Sequence, residues 1–202
     1  MSARGSLRTR NTRLSLKACA AEGLWLRSMF EVAYNLGWPK SELLNLRVRQ
    51  VDLASRTIRL EVDETKNNDG RTAVMTSPIY ALLQQCVLGK QADDHVFTRD
   101  GGQPVRDFRG TWDKICTEAK TPGLLFRDLR RTAVRNMVRR AIPERVAMTI
   151  SGHKTRSVFD RYDVVSESDL REAAQKLDRE FRHTSDIPEP SERPIATSTN
   201  IN

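Results

Sequence analysis

"RTIRLEVDETKNNDGRTAVMT", residues 56–76, decides the fold class. Residues 56–63 alternate polar and apolar side chains, the signature of a half-buried strand. The Asn, Asp and Gly of "TKNNDGR" are turn formers, and "TAVMT" is the returning strand. A β-hairpin is expected, with Lys66 at its tip. Most of the remaining pattern is helical. "LWLRSMFEVAYNL", residues 24–36, carries apolar residues at helical spacing, and Gly37 ends it. "PKSELLNLRV" follows with Pro39 in a first turn, where its missing N–H costs nothing. Further helices are expected over 78–87, 108–119, 128–140, 143–151, 156–162 and 167–181, with a short strand at 95–98. The fold class is mostly α with a small antiparallel β-sheet (α+β).

The charge is lopsided. Lys and Arg number 34 against 26 Asp and Glu, a net +8 over 202 residues. The last twenty residues hold one Arg and three acids, so the body carries +10. A domain this basic points to a polyanion, nucleic acid first. No apolar run approaches the roughly 20 residues that span a bilayer, and no basic helix has the bulky aromatic face of a membrane-surface protein. Residues 1–23 read as a basic flexible arm, 24–182 as the main domain, and 183–202 as a disordered tail. Cys19, Cys86 and Cys116 are odd in number and scattered, which suits a reducing cytosol rather than a disulfide framework. His95, His153 and His183 show no metal-ligand spacing, which argues against a zinc site.

The helix "DLRRTAVRNMVRR" sharpens the charge argument. With Asp128 as N-cap, Leu129, Ala133, Val134, Met137 and Val138 gather on one side. Arg131, Arg135 and Arg139 line the other, as a solvated face commonly does. Arg130 projects among the apolar residues, where a guanidinium is costly unless something anionic meets it. A buried carboxylate partner, a snorkelling first-turn arginine and a phosphate clamp all remain open from the residues alone. Residues 121–162 hold ten Lys or Arg and three acids.

Four short stretches, in order, resemble the tyrosine recombinase (phage integrase) family over residues 24–177. "TK" at Thr65 and Lys66 sits on the hairpin turn, where the family carries its catalytic lysine. "RDLRRTAVRNMV" is similar to the family's H-x-x-R box, with Arg130 as the matching arginine and Arg127 at the histidine position. "ISGHKT" resembles its G-H element and gives His153. "VFDRYDVVSESDLREAA" resembles the segment around its nucleophile and gives Tyr162. The resemblance implies that Tyr162 attacks a DNA phosphodiester, forming a 3′-phosphotyrosyl bond and freeing a 5′-hydroxyl. Neither ATP nor metal is needed, because the adduct conserves the bond energy. Arg130 and His153 would hold the non-bridging oxygens, and Lys66 would protonate the leaving oxygen. Arg131, Arg135, Lys154 and Arg156 are the expected DNA-backbone contacts. The implied partners are double-stranded DNA and, on it, a second copy or a full-length recombinase docked through residues 167–181. The implied location is the cytoplasm, at the nucleoid.

The pattern breaks at named positions. In "LGWPKSELLNLR", Glu42, Leu43 and Leu46 fit the family's first box, but Pro39 stands where its arginine belongs. Proline has no side-chain donor, and loss of one transition-state donor costs on the order of 10²–10³ in rate. Arg127 keeps a charge but cannot accept a proton. The few residues before the first helix are too short for the family's separate N-terminal DNA-binding domain. The expectation is therefore a recombinase catalytic domain, impaired in chemistry. The alternatives are a non-catalytic DNA-binding remnant, such as a truncated or decaying copy, and a type IB topoisomerase-like relaxing activity.

Overall fold

The computed structural model of the chain describes residues 9–62 and 70–160, together with 170, 171, 173–175, 177 and 178. The chain divides into two compact units, residues 1–164 and 165–202. In the second, the described residues are helical and exposed, inside the expected 167–181 helix.

The first unit begins with α1 (Thr9–Glu22) and α2 (Leu24–Leu36). A flexible arm was expected up to residue 23. Instead α1 packs on α2 and α5, with Ser15 and Cys19 fully covered. Its basic residues had obscured a narrow inward stripe. α2 is buried along most of its length, from Trp25 to Leu36. Gly37 closes it in the left-handed region at φ 73°, and its N–H reaches the Ala33 carbonyl. A Cβ at Gly37 would lie 3.2 Å from the Ala133 Cβ, so glycine also allows a close helix approach. Pro39 then stands at the N-cap of α3 (Lys40–Asn45).

The sheet has three antiparallel strands in the order β1 (Val51–Asp52), β2 (Thr57–Leu60) and β3 (Arg71–Val74). Ile58 pairs with Ala73 and Leu60 with Arg71. Ile58, Leu60 and Ala73 are buried, while Arg59 faces out, as the alternation requires. β1 is too short to show a period in sequence. Asp52 turns the chain into β2 by accepting from the Ala54 and Ser55 N–H groups. The hairpin turn with Lys66 lies outside the described residues.

α4 (Ser77–Val87), α5 (Arg109–Glu118), α6 (Asp128–Arg139), α7 (Glu144–Ser151) and α8 (Arg156–Phe159) complete the unit. Residues 95–98, expected as a strand, form only isolated bridges, His95 to Arg47 and Thr98 to Pro104. Their apolar pair, Val96 and Phe97, fills the core from an irregular connection. Asp128 starts α6 rather than capping it. Its Oδ2 accepts from the Leu125 N–H at 3.0 Å, one turn upstream, while Arg127 holds the N-cap. Among the described residues, no helix is long and apolar enough to cross a membrane.

Candidate active site

α6 and α7 bring two of the expected residues together. Arg130 leaves the first turn of α6, half-buried, and donates to protein acceptors on several sides. Its Nη1 reaches the Gly37 carbonyl at 2.7 Å and the Ser151 carbonyl at 2.6 Å. Nη2 reaches the Gly152 carbonyl at 3.4 Å, and Nε reaches His153 Nε2 at 3.2 Å. The guanidinium is thus fixed by the C-terminal ends of α2 and α7.

His153 follows a helix end that its own backbone helps to close. Gly152 sits at φ 72°, and its N–H reaches the Thr149 carbonyl while the His153 N–H reaches that of Met148 at 3.0 Å. This is a Schellman closure. The ring is 7% exposed and stands edge-on to Phe159, centroids 5.7 Å apart. Its Nδ1 meets Ser151 Oγ at 2.7 Å, and that hydroxyl meets the Ala147 carbonyl at 2.6 Å. Because Nε2 accepts from Arg130, the network assigns the ring proton to Nδ1. Burial, reinforced by the neighbouring Arg130 and Arg71 guanidiniums, pushes the imidazole down to about 4. His153 is therefore neutral at neutral pH, and in this geometry it orients Arg130.

Beside this pair opens a cleft of about 770 Å³, walled by the start of β3 on one side and α7 with its following loop on the other. Among the described residues, His153 lines it together with four cationic side chains, Arg71, Arg145, Lys154 and Arg156, and one carboxylate, Glu144. Lys154 and Arg156 are exposed at its mouth. Arg156 pairs with Glu144 at 3.1 Å. Arg130 adjoins the wall through His153 without itself lining the cleft. Arg127 is exposed, and Arg131 and Arg135 are half-buried; none of the three lines the cleft. Lys66 and Tyr162 lie outside the described residues.

Sequence reasoning missed Arg71 and Arg145. Arg71 was legible by the argument already used for Arg130. In a strand whose inward residues include Ala73, position 71 is also inward, so an arginine there is a charge on the buried face. Arg145 carried no such signal, since an exposed arginine in a first helical turn is ordinary. Pro39 supplies only its backbone at the start of α3. Lys40, its neighbour, lies over the Phe108 ring at 5.4 Å.

Known proteins agree with this fold. The family model described as the phage integrase family matches residues 6–168. An integrase of Salmonella phage P22 is 22% identical over 167 residues, which is 77% of this chain and 43% of that protein. The chain thus spans less than half the length of this curated relative. Among solved structures, the XerA recombinase superposes with a TM-score of 0.72 at 18% identity, over 85% of this chain and 64% of that one. The catalytic domain of bacteriophage HP1 integrase superposes at 0.62 with 20% identity, over 85% of this chain and 94% of the domain. The Tn1549 transposon integrase, in complex with transposon right-end DNA, superposes at 0.69 with 15% identity, over 88% and 67%. With its mostly helical unit, small three-stranded sheet and matching profile, this chain belongs to the phage integrase family and has the fold of a tyrosine recombinase catalytic domain.

Proposed function

We propose that this chain binds duplex DNA and cuts and rejoins one strand through a covalent link to Tyr162. The observation that carries the reading is the Arg130–His153 pair, oriented by backbone carbonyls, next to a cleft walled by Arg71, Arg145, Lys154 and Arg156. Such a site suits the phosphate backbone. Similar solved structures include a transposon integrase in complex with DNA. In the proposed step the Tyr162 phenol gives its proton to solvent water and its oxygen bonds to phosphorus. The bond from phosphorus to the 5′-oxygen breaks, and that oxygen takes a proton from the Lys66 ammonium. Arg130 offsets the charge that grows on the non-bridging oxygens, while His153 keeps it aimed. Attack by a 5′-hydroxyl on the phosphotyrosine reverses the sequence and restores the strand. Lys154 and Arg156 hold the flanking phosphates.

Pro39 favours one second reading, a protein that binds DNA without cutting it, because the N-cap of α3 places no donor in the site. Covalent trapping separates the two. The parent, Tyr162→Phe and Pro39→Arg are incubated with nicked duplexes tiled across the DNA flanking this chain's gene, then denatured. An adduct from the parent that vanishes in Tyr162→Phe is the expected result. An adduct from Pro39→Arg alone, or salt-sensitive binding with no adduct from any of the three, supports binding without cleavage.

A further inference from the structure

We propose that Arg71 is a second phosphate-binding guanidinium of this site, a catalytic residue that donates to a non-bridging oxygen of the phosphate undergoing attack. The inference rests on the strand-cleavage reading above. Arg71 opens β3 on its inward face, opposite Leu60. Its side chain is 8% exposed, an expensive place for a full charge. The guanidinium is held in one plane. It lies over the Trp38 ring at 4.8 Å, and its Nη2 is ion-paired with the equally buried Glu42. It also presses so closely on Gly152 that a Cβ there would collide with it.

A tie between β3 and α3 accounts for the Glu42 contact but not for the rest. Arg71 forms part of the cleft wall beside His153 and Lys154. Its Nε is buried and finds no acceptor among the described residues. Arg71 and Arg130 both come against Gly152, the residue before His153, and both cations lower the proton affinity of that neutral imidazole. Glu42 offsets one of these two positive charges, so the pair keeps a net positive charge beside the neutral ring, and an anion in the cleft offsets the remainder. A phosphate that gains charge during reaction is the anion such a pair serves best. Trp38, Glu42 and Gly152 orient the group before DNA arrives, so no reorganisation is required at the moment of attack.

The test compares two nicked duplexes at the position where the parent cuts. One has the natural phosphodiester and the other a neutral methylphosphonate, which lacks the charge that a guanidinium would meet. We expect Arg71→Gln to slow covalent capture of the phosphodiester by about 10²-fold, with capture of the methylphosphonate within about threefold of the parent. Equal slowing on both substrates would mark Arg71 as a structural tie only and overturn the inference, as would unchanged rates on both. If Arg71→Gln does not fold by circular dichroism, Arg71→Lys is read in the same ratio. It keeps the charge but loses the fork, so a selective loss of about tenfold on the phosphodiester is expected, and an equal loss on both substrates overturns the assignment. No adduct from the parent on any duplex overturns the strand-cleavage reading and this inference with it. A parent adduct with no selective loss in the variants overturns the Arg71 role alone.

Discussion

Around α2 and α5 the chain packs rings. Phe126 stands edge-on to Phe108 at 5.1 Å and to Trp112 at 5.0 Å, and Trp25 stands edge-on to Phe108 at 5.7 Å. Trp112 settles its one polar atom on the Leu124 carbonyl at 2.7 Å. Around α6 and α7 the apolar contribution is much smaller, with Ala133, Val134, Met137, Ala147 and Phe159 as its buried members. There the order comes from a relay running Arg130, His153, Ser151 and the Ala147 carbonyl. The first region is stabilised by area and shape, which do not titrate. The second depends on which atoms carry protons, so the same medium should act on the two differently.

Three changes probe that contrast, in falling order of effect. Trp112→Ala removes a buried ring and leaves the Leu124 carbonyl only the weak Cys116 thiol donor at 3.3 Å. It should cost about 3–5 kcal/mol of unfolding free energy, with no added dependence on pH, as urea melts at several pH values would read. His153 comes next. Its folded pKa of about 4 lies below the unfolded value of about 6.5, so the unfolded chain takes up the proton first as pH falls. The stability it contributes is full above pH 6.5 and drains away towards pH 4, by at most roughly 3 kcal/mol. Subtracting the melts of His153→Gln from those of the parent should isolate that slope; parallel curves would refute the neutral, buried imidazole. Arg156→Ala, at the exposed mouth, should change stability by less than about 1 kcal/mol. It should instead lower the salt slope of duplex binding by about one unit, measurable by fluorescence anisotropy.

The legible parts of the sequence were those with a period or a punctuation mark. α2 showed its helical spacing and its closing glycine, β2 its alternation, and α6 an arginine on the apolar face. Position 71 carried the same kind of signal in a strand, but a four-residue strand offers too few neighbours to make an inward charge conspicuous. α1 was missed because its buried face rests on small and polar residues, Thr12, Ser15, Ala18 and Cys19, which leave little apolar contrast to detect. Residues 95–98 misled in the opposite way, since Val96 and Phe97 are buried without a ladder to join. Of the partners of Arg130, His153 could be placed beside it from the sequence. Three others could not be read at all, because they are main-chain oxygens of residues 37, 151 and 152, and every residue type has a carbonyl.

That last fact has a consequence for how this protein tolerates change. A hold made of backbone oxygens cannot be deleted by altering the side chains that carry them, so point substitutions along α2 and α7 leave the acceptors of Arg130 in place. Altered length is a different matter. One residue inserted into α2 would swing its end by about 100° around the helix axis and carry the Gly37 oxygen away from the guanidinium. The hold on Arg130 should therefore be forgiving of amino-acid replacement in those helices, Ser151 apart because its hydroxyl holds His153, and intolerant of single-codon insertions or deletions.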